Sequence, residues 1–221
     1  PANGYNPVVA AGQNVIGSAN DDAITTSGQN DTLTGGLGND ALNGSGGNDT
    51  YNVDAGTDTV VGLNTGDVLV VSAGASTSPV IGGSFVATAA SSNNGTVTLT
   101  DGTPAGNTTI DMSLAGGANG YTITGGNSPT AGTDTLIGSA QADVINGGNT
   151  TQTTAAAQDI LTGNGGADRF NFNLTLGSAA TLTVLTTQGA IDRAIITSVA
   201  PAAADRTQTI TVSHTVNRTL H

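Results

Sequence analysis

Residues 35–52 read GGLGNDALNGSGGNDTYN, and this stretch decides the fold. It contains one nine-residue unit written twice: a glycine-rich turn, an Asp, a small residue, a large apolar residue and a polar residue. The spacing continues on both sides, because Asp stands at 22, 31, 40, 49, 58 and 67, and an apolar side chain lies two positions after each. A fixed short period of this kind predicts a stack of similar units.

The same pattern returns later in the chain. Asp134, Asp143, Asp159 and Asp168 are each followed, two positions on, by Leu136, Ile145, Leu161 and Phe170. The spacing of 16 between Asp143 and Asp159 equals one nine-residue unit plus a seven-residue insertion.

These patterns divide the chain into five segments. We predict a linker or the start of a fragment at 1–14, a first repeat block at 15–71 and a β-rich connecting region at 72–128. A second repeat block follows at 129–172, with a loop insertion near 149–157, and a β-rich C-terminal cap or assembly region at 173–221.

Composition excludes several classes of protein. The 221 residues carry a net charge of −12 and contain no Cys, Lys or Glu. The absence of Cys excludes disulfide frameworks and thiolate metal sites, and the absence of Lys excludes P-loops and Schiff-base chemistry. An acidic chain with four basic residues is a poor nucleic-acid ligand, and no apolar run is long enough for a transmembrane segment. With no G-x-S-x-G or H-E-x-x-H motif, we predict that the protein is not an enzyme.

The nine-residue unit resembles the G-G-x-G-x-D-x-U-x nonapeptide of RTX proteins, in which U is a large apolar residue. Residues 17–70 and about 129–171 show the resemblance, and GGLGNDALN fits every defined position. The resemblance implies an all-β fold of parallel β-roll (β-solenoid) segments with irregular β-rich connecting and capping regions. Two repeats would complete one coil, placing Asp22, Asp40 and Asp58 on one edge and Asp31, Asp49 and Asp67 on the other.

Stacked carboxylates repel one another, and a hard divalent cation with oxygen ligands removes that repulsion. The resemblance implies Ca²⁺ as the cofactor, bound between successive turns on one edge. The implied ligands are the carboxylates of Asp22, Asp31, Asp40, Asp49, Asp58, Asp67, Asp134, Asp143, Asp159 and Asp168, with turn residues Gly36, Gly38, Asn39, Gly44, Gly47 and Asn48. The turns of 26–34 and 53–61 depart from the glycine pattern, so weak or empty sites are expected there. A calcium-free solenoid with Asn/Asp turns is the alternative.

Six Asp residues lie off the repeat. Most are expected to be solvated turn residues, and Asp21 has the alternative role of assisting the site at Asp22. They are Asp21, Asp54, Asp101, Asp111, Asp192 and Asp205.

The resemblance implies a secreted protein, exported from a Gram-negative bacterium by type I secretion and placed outside the cell or on its surface. The Cys-free, Lys-free, acidic composition is similar to that of surface-layer (S-layer) proteins with RTX repeats. We therefore expect a calcium-dependent structural protein that self-associates into a lattice or filament, with cell-surface polysaccharide contacted through other parts of the protein. The alternatives are the RTX module of a large secreted adhesin, or the β-roll tail of a secreted hydrolase whose catalytic domain is absent.

Overall fold

The computed structural model describes residues 12–103, 107–126, 133–152, 159–176, 181–187, 193–200 and 209–215. Residues 1–11 of the predicted linker and 153–157 of the predicted insertion lie outside them. The described residues form strands and turns without a helix, and the strands pair in parallel, so the all-β solenoid prediction is confirmed. In chain order the described strands are β1 Asn14–Ile16, β2 Ala23–Thr25, β3 Thr32–Thr34, β4 Ala41–Asn43, β5 Thr50–Val53, β6 Thr57–Val61, β7 Val68–Val71, β8 Ser76–Thr77, β9 Val80–Ile81, β10 Phe85–Val86, β11 Ser92–Asn93, β12 Thr96–Asp101, β13 Thr109–Asp111, β14 Gly116–Gly117, β15 Thr122–Thr124, β16 Thr135–Ile137, β17 Val144–Gln152, β18 Ile160–Thr162, β19 Arg169–Leu176, β20 Thr181–Thr187, β21 Arg193–Ala200 and β22 Thr209–Thr215.

Three parallel sheets build the solenoid. Sheet A contains β1, β3, β5, β7, β11 and β14, and sheet C contains β10, β13, β16, β18, β20 and β22. Sheet B runs β2, β4, β6, β8, β12, β15, β17, β19 and β21, with β9 paired to β12. The chain first alternates between sheets A and B, then passes through all three, and finally alternates between B and C.

The coil length follows the sequence period only in the first part. There Leu33 pairs with Tyr51 and Ile24 with Leu42, one coil being two nonapeptides. Later coils are longer: Ile110 pairs with Leu136, and Ile145 with Phe170. In the middle part of the chain the extra residues form the third side, whereas the later coils, such as that from Ile145 to Phe170, alternate between two sheets only. The parallel ladders continue through the region between the two repeat blocks.

The core is a set of stacked apolar columns, one side chain per short strand. Alternate residues of a strand point to opposite faces, so a three-residue strand sends only its central side chain inward. Ile24 and Leu42 continue one column in sheet B, Leu33 and Tyr51 one in sheet A, and each is fully buried. The Tyr51 hydroxyl donates to the Val61 carbonyl at 3.1 Å and accepts the Gly44 N–H at 3.1 Å.

Truncating a column residue tests this core. Leu42→Ala removes a fully buried side chain between two coils, and we expect it to lower the free energy of unfolding by about 2–5 kcal/mol. Leu37→Ala removes the same atoms from a turn residue that is 59% exposed and should cost about 0.5 kcal/mol or less. Chemical unfolding in saturating calcium, followed by circular dichroism, measures both. Equal losses would contradict the assignment of Leu42 to the core.

Candidate metal site

The aspartates of the repeats form hydrogen-bonded ladders along the corners of the solenoid, which are the turns that join a strand of one sheet to a strand of the next. Each of these Asp residues immediately precedes a strand, except Asp58, which is the second residue of β6. The backbone N–H of an Asp donates to the Oδ1 atom of the Asp one coil later. The bonds run from Asp22 to Asp40 (2.9 Å), Asp31 to Asp49 (2.9 Å), Asp40 to Asp58 (3.0 Å), Asp49 to Asp67 (2.8 Å), Asp134 to Asp159 (3.0 Å) and Asp143 to Asp168 (2.9 Å). The two edges predicted from the sequence are therefore present, and the longer coils keep the same bond.

A second ladder uses the residue just before each Asp. The side-chain oxygens of Asp21, Asn30 and Asn39 accept the backbone N–H groups of Asn39, Asn48 and Thr57, each at 2.8 Å. This ladder runs in the opposite sense to the first. Sequence reasoning missed it, although the recurrence of Asn or Asp directly before the repeat Asp was a visible signal. The Asn39 and Asn48 main-chain oxygens as calcium ligands stay a prediction.

In some turns the second carboxylate oxygen is occupied by the protein itself. The Oδ2 atoms of Asp22 and Asp143 accept the backbone N–H groups of Ser18 and Ser139, four residues earlier, and that of Asp67 accepts from Asn64 at 2.7 Å. The Ser139 hydroxyl also bonds the Asp143 carboxylate. We call these turns capped, because chain donors reach both oxygens.

In other turns the second oxygen has no protein donor. The Oδ2 atoms of Asp31, Asp40 and Asp58 are buried without a hydrogen-bond partner, and each residue is 2% exposed. We call these turns open. A buried anionic oxygen without a partner is strongly unfavourable, so each open turn favours a ligand that supplies positive charge.

The Asp40 turn requires glycine at two positions. Gly36 takes the position that Ser18 has in the capped turn, with a left-handed φ of 97°. A Cβ on Gly36 would overlap the Ser18 carbonyl oxygen, and one on Gly35 would overlap Oδ2 of Asp40. Oxygens from two successive coils therefore lie so close to the backbone of this turn that only glycine fits there.

The available donors suit Ca²⁺. Among the residues that the structure describes, no group of three or more His, Cys, Asp or Glu side chains comes together. A shell at these turns must therefore combine few carboxylates with main-chain carbonyls. Such irregular, all-oxygen shells fit Ca²⁺ better than Mg²⁺ or zinc.

Burial raises the pKa of seven of the repeat carboxylates. Desolvation, with a smaller contribution from neighbouring carboxylates, raises the pKa of Asp49 and of Asp58 to about 6, and it raises that of Asp159 to about 6 as well. Burial also raises the pKa of Asp40, Asp67, Asp134 and Asp143. Residues 1–168 contain 14 Asp and no Arg or Lys, so no basic side chain of that segment compensates them.

A family model of the RTX calcium-binding nonapeptide repeat matches the chain in four copies, over residues 16–51, 25–60, 129–150 and 155–174. The chain carries RTX calcium-binding nonapeptide repeats. Comparison with curated proteins and with solved structures gave no match. RTX nonapeptide repeats bind Ca²⁺, and when bound the ion supplies the positive charge that the open turns lack. These repeats imply a calcium-binding protein of the type I-secreted kind, and their β-roll is a structural, non-catalytic fold. Within the described residues, no helix is long and apolar enough to cross a membrane.

Acid should stabilise the calcium-free protein. The folded-state pKa of Asp49 and Asp58 is about 6 against an ordinary 3.8, so the folded state binds protons more tightly than the unfolded state. The resulting stability is fully present below the ordinary pKa and is lost as the pH rises through 6. We expect the folded fraction of protein freed of calcium by gel filtration to rise between pH 7 and about 4.5, measured by circular dichroism.

Two matched variants separate this effect from net charge. Asp58→Asn should flatten the pH profile, whereas Asp111→Asn, which removes the same charge from a partly exposed strand residue, should not. A calcium-free protein that loses stability steadily below pH 7 would contradict the burial of charged carboxylates.

Open and capped turns should respond differently to loss of charge. Asp40→Asn keeps an Oδ1 acceptor for the Asp22 N–H but removes the anionic open oxygen. We expect it to raise the calcium concentration at half-saturation about tenfold. Asp22→Asn, in a capped turn, should raise it less than threefold. Isothermal titration calorimetry measures both, and an equal effect would show that capping does not control affinity.

Proposed function

We propose that this chain is a secreted, calcium-dependent structural protein that self-assembles as a bacterial surface layer or part of one. The observation that carries the proposal is the set of open aspartates, buried at the corners in a segment, residues 1–168, that contains no Arg or Lys. Calcium bound between stacked turns drives both folding and assembly. The ligands we assign are the repeat aspartates together with turn residues Gly36, Gly38, Asn39, Gly44, Gly47 and Asn48.

Calcium availability would decide where the protein folds. RTX repeat proteins are typically type I secreted and extracellular. A site with a Kd of about 10⁻⁴ M contributes about 2.7 kcal/mol to stability when free calcium reaches 100 times that value, and almost nothing at cytosolic calcium. Because metal binding free energy becomes folding free energy, the chain stays loosely folded before export and folds outside a Gram-negative cell.

The solenoid surfaces favour association between copies. From β1 to β18, Asp111 is the only charged residue at an outward position of a described strand, so the faces carry mostly Thr, Asn, Ser and aliphatic side chains. Charge is concentrated at the corners instead. In the described part, β1 and β2 each have a strand partner on one side only, and a strand edge of this kind can pair with a strand of another solenoid.

Light scattering and electron microscopy of the full chain, during a calcium titration from chelator to about 10 mM, test the proposal. We expect sheets, tubes or regular filaments to appear with calcium. The matched control is the double variant Asp40→Ala with Asp49→Ala, which should neither fold nor assemble at the same calcium concentration.

A wild-type chain that folds with calcium but stays a compact monomer throughout would refute assembly. In that case, binding of a sugar or cell surface by the monomer would support the adhesin module. A catalytic domain encoded just upstream would support the hydrolase tail. Polysaccharide contact through other parts of the protein remains part of the surface-layer proposal.

A further inference from the structure

Asp101 is a buried aspartate that belongs to no nonapeptide unit. It ends β12 in the connecting region and is 6% exposed, contrary to the expectation of a solvated turn residue. Its Oδ1 atom accepts the Thr103 N–H at 2.8 Å and the Thr103 hydroxyl at 2.6 Å. Its Oδ2 atom is buried and has no hydrogen-bond partner. One oxygen of this carboxylate is therefore hydrogen-bonded by the protein, and the other oxygen has no partner.

The unpartnered oxygen lies against the same corner of the next coil. A Cβ on Gly126 would lie 2.6 Å from Oδ2 of Asp101 and 2.9 Å from the Thr103 carbonyl oxygen, so two oxygens from one corner converge beside this glycine. The Gly126 N–H donates to Oδ2 of Asp134 at 3.1 Å, which brings a second carboxylate to the same place. Asp134 is 6% exposed.

The ladder explains why an extra carboxylate is needed here. Thr108 donates its N–H to Oδ1 of Asp134 at 3.0 Å, as Asp134 donates to Asp159. Thr108 thus occupies the position that Asp134 and Asp159 occupy in the next two coils, and it brings no charge. Asp101 enters the same corner from the end of the preceding strand and supplies the missing carboxylate.

We propose a calcium site at this corner, formed by the carboxylates of Asp101 and Asp134 and the main-chain oxygen of Thr103. Asp134 belongs to a matched repeat, whereas Asp101 and Thr103 lie outside the matched repeats. All three donors are hard oxygens of mixed type, which suits Ca²⁺. The site does not depend on assembly, so its failure and that of the surface-layer proposal are separate results.

Calcium content of the full chain tests the site. Wild type and Asp101→Asn are equilibrated with about 5 mM CaCl₂, above the Kd range of extracellular calcium modules, and bound metal is counted by equilibrium dialysis with mass spectrometry. We expect Asp101→Asn to bind one Ca²⁺ fewer per chain. The amide keeps an acceptor for Thr103 and changes little else in shape.

Asp111→Asn is the matched control. Asp111 also ends a strand and accepts the N–H of the residue two positions on, Ser113, at 2.8 Å, but it has no buried unpartnered oxygen. It should leave the calcium count unchanged. An unchanged count in Asp101→Asn would overturn the proposal.

A second variant covers the case in which Asp101→Asn fails to fold. Gly126→Ala keeps both carboxylates and fills the space beside them, whereas Gly82→Ala adds the same methyl group where no atom lies within 4 Å. Loss of one Ca²⁺ in Gly126→Ala but not in Gly82→Ala supports the site. Equal calcium counts in the two alanine variants overturn it.

Discussion

The hydrogen bond from the backbone of one repeat aspartate to the carboxylate of the aspartate one coil later organises this solenoid. It fixes the register between coils. This register matters because a slip of one residue would turn the apolar columns outward. It also forces carboxylates to stack at the strand spacing of about 4.8 Å, buried at the corners. The bond that sets the register therefore creates the electrostatic problem that a cation resolves. Oδ1 is used for structure, and Oδ2 remains for the metal or for a local cap.

At Asp22, Asp143 and Asp40 the difference lies in the backbone of the residue four positions earlier, although Ser27 holds that position before the open Asp31. With Ser18 or Ser139 there, the backbone N–H reaches Oδ2 and the turn is capped. With the left-handed Gly36, Oδ2 of Asp40 receives no donor and the turn is open. Ser45 is also left-handed, and its N–H donates to the Asn43 side chain instead. Small changes in turn sequence can thus vary the dependence on calcium from coil to coil without altering the stack.

The nine-residue period predicted the fold, the inward column through Leu33 and Tyr51, and the two aspartate edges, since all of these repeat at a constant interval. It could not predict the third sheet, because coils there differ in length and their register is set by contacts between distant corners. Asp101 was misjudged for the same reason: its burial depends on Thr103 and Gly126, and the latter lies a full coil away. The opening of the Asp40 turn also depends on backbone geometry that motif matching does not describe.

The Asp101 carboxylate lies where the connecting coils meet the second repeat block. In a solenoid each coil contacts only its neighbours, so stability passes along the stack through adjacent interfaces. The matched repeats end at residue 60 and resume at 129, and between them the two-sided coil becomes three-sided. Thr108 interrupts the line of ladder carboxylates at the start of the second series, and Asp101 restores a negative charge at that corner. A cation held there ties the connecting coils to the second repeat block, so that calcium stabilises the two blocks as parts of one stack.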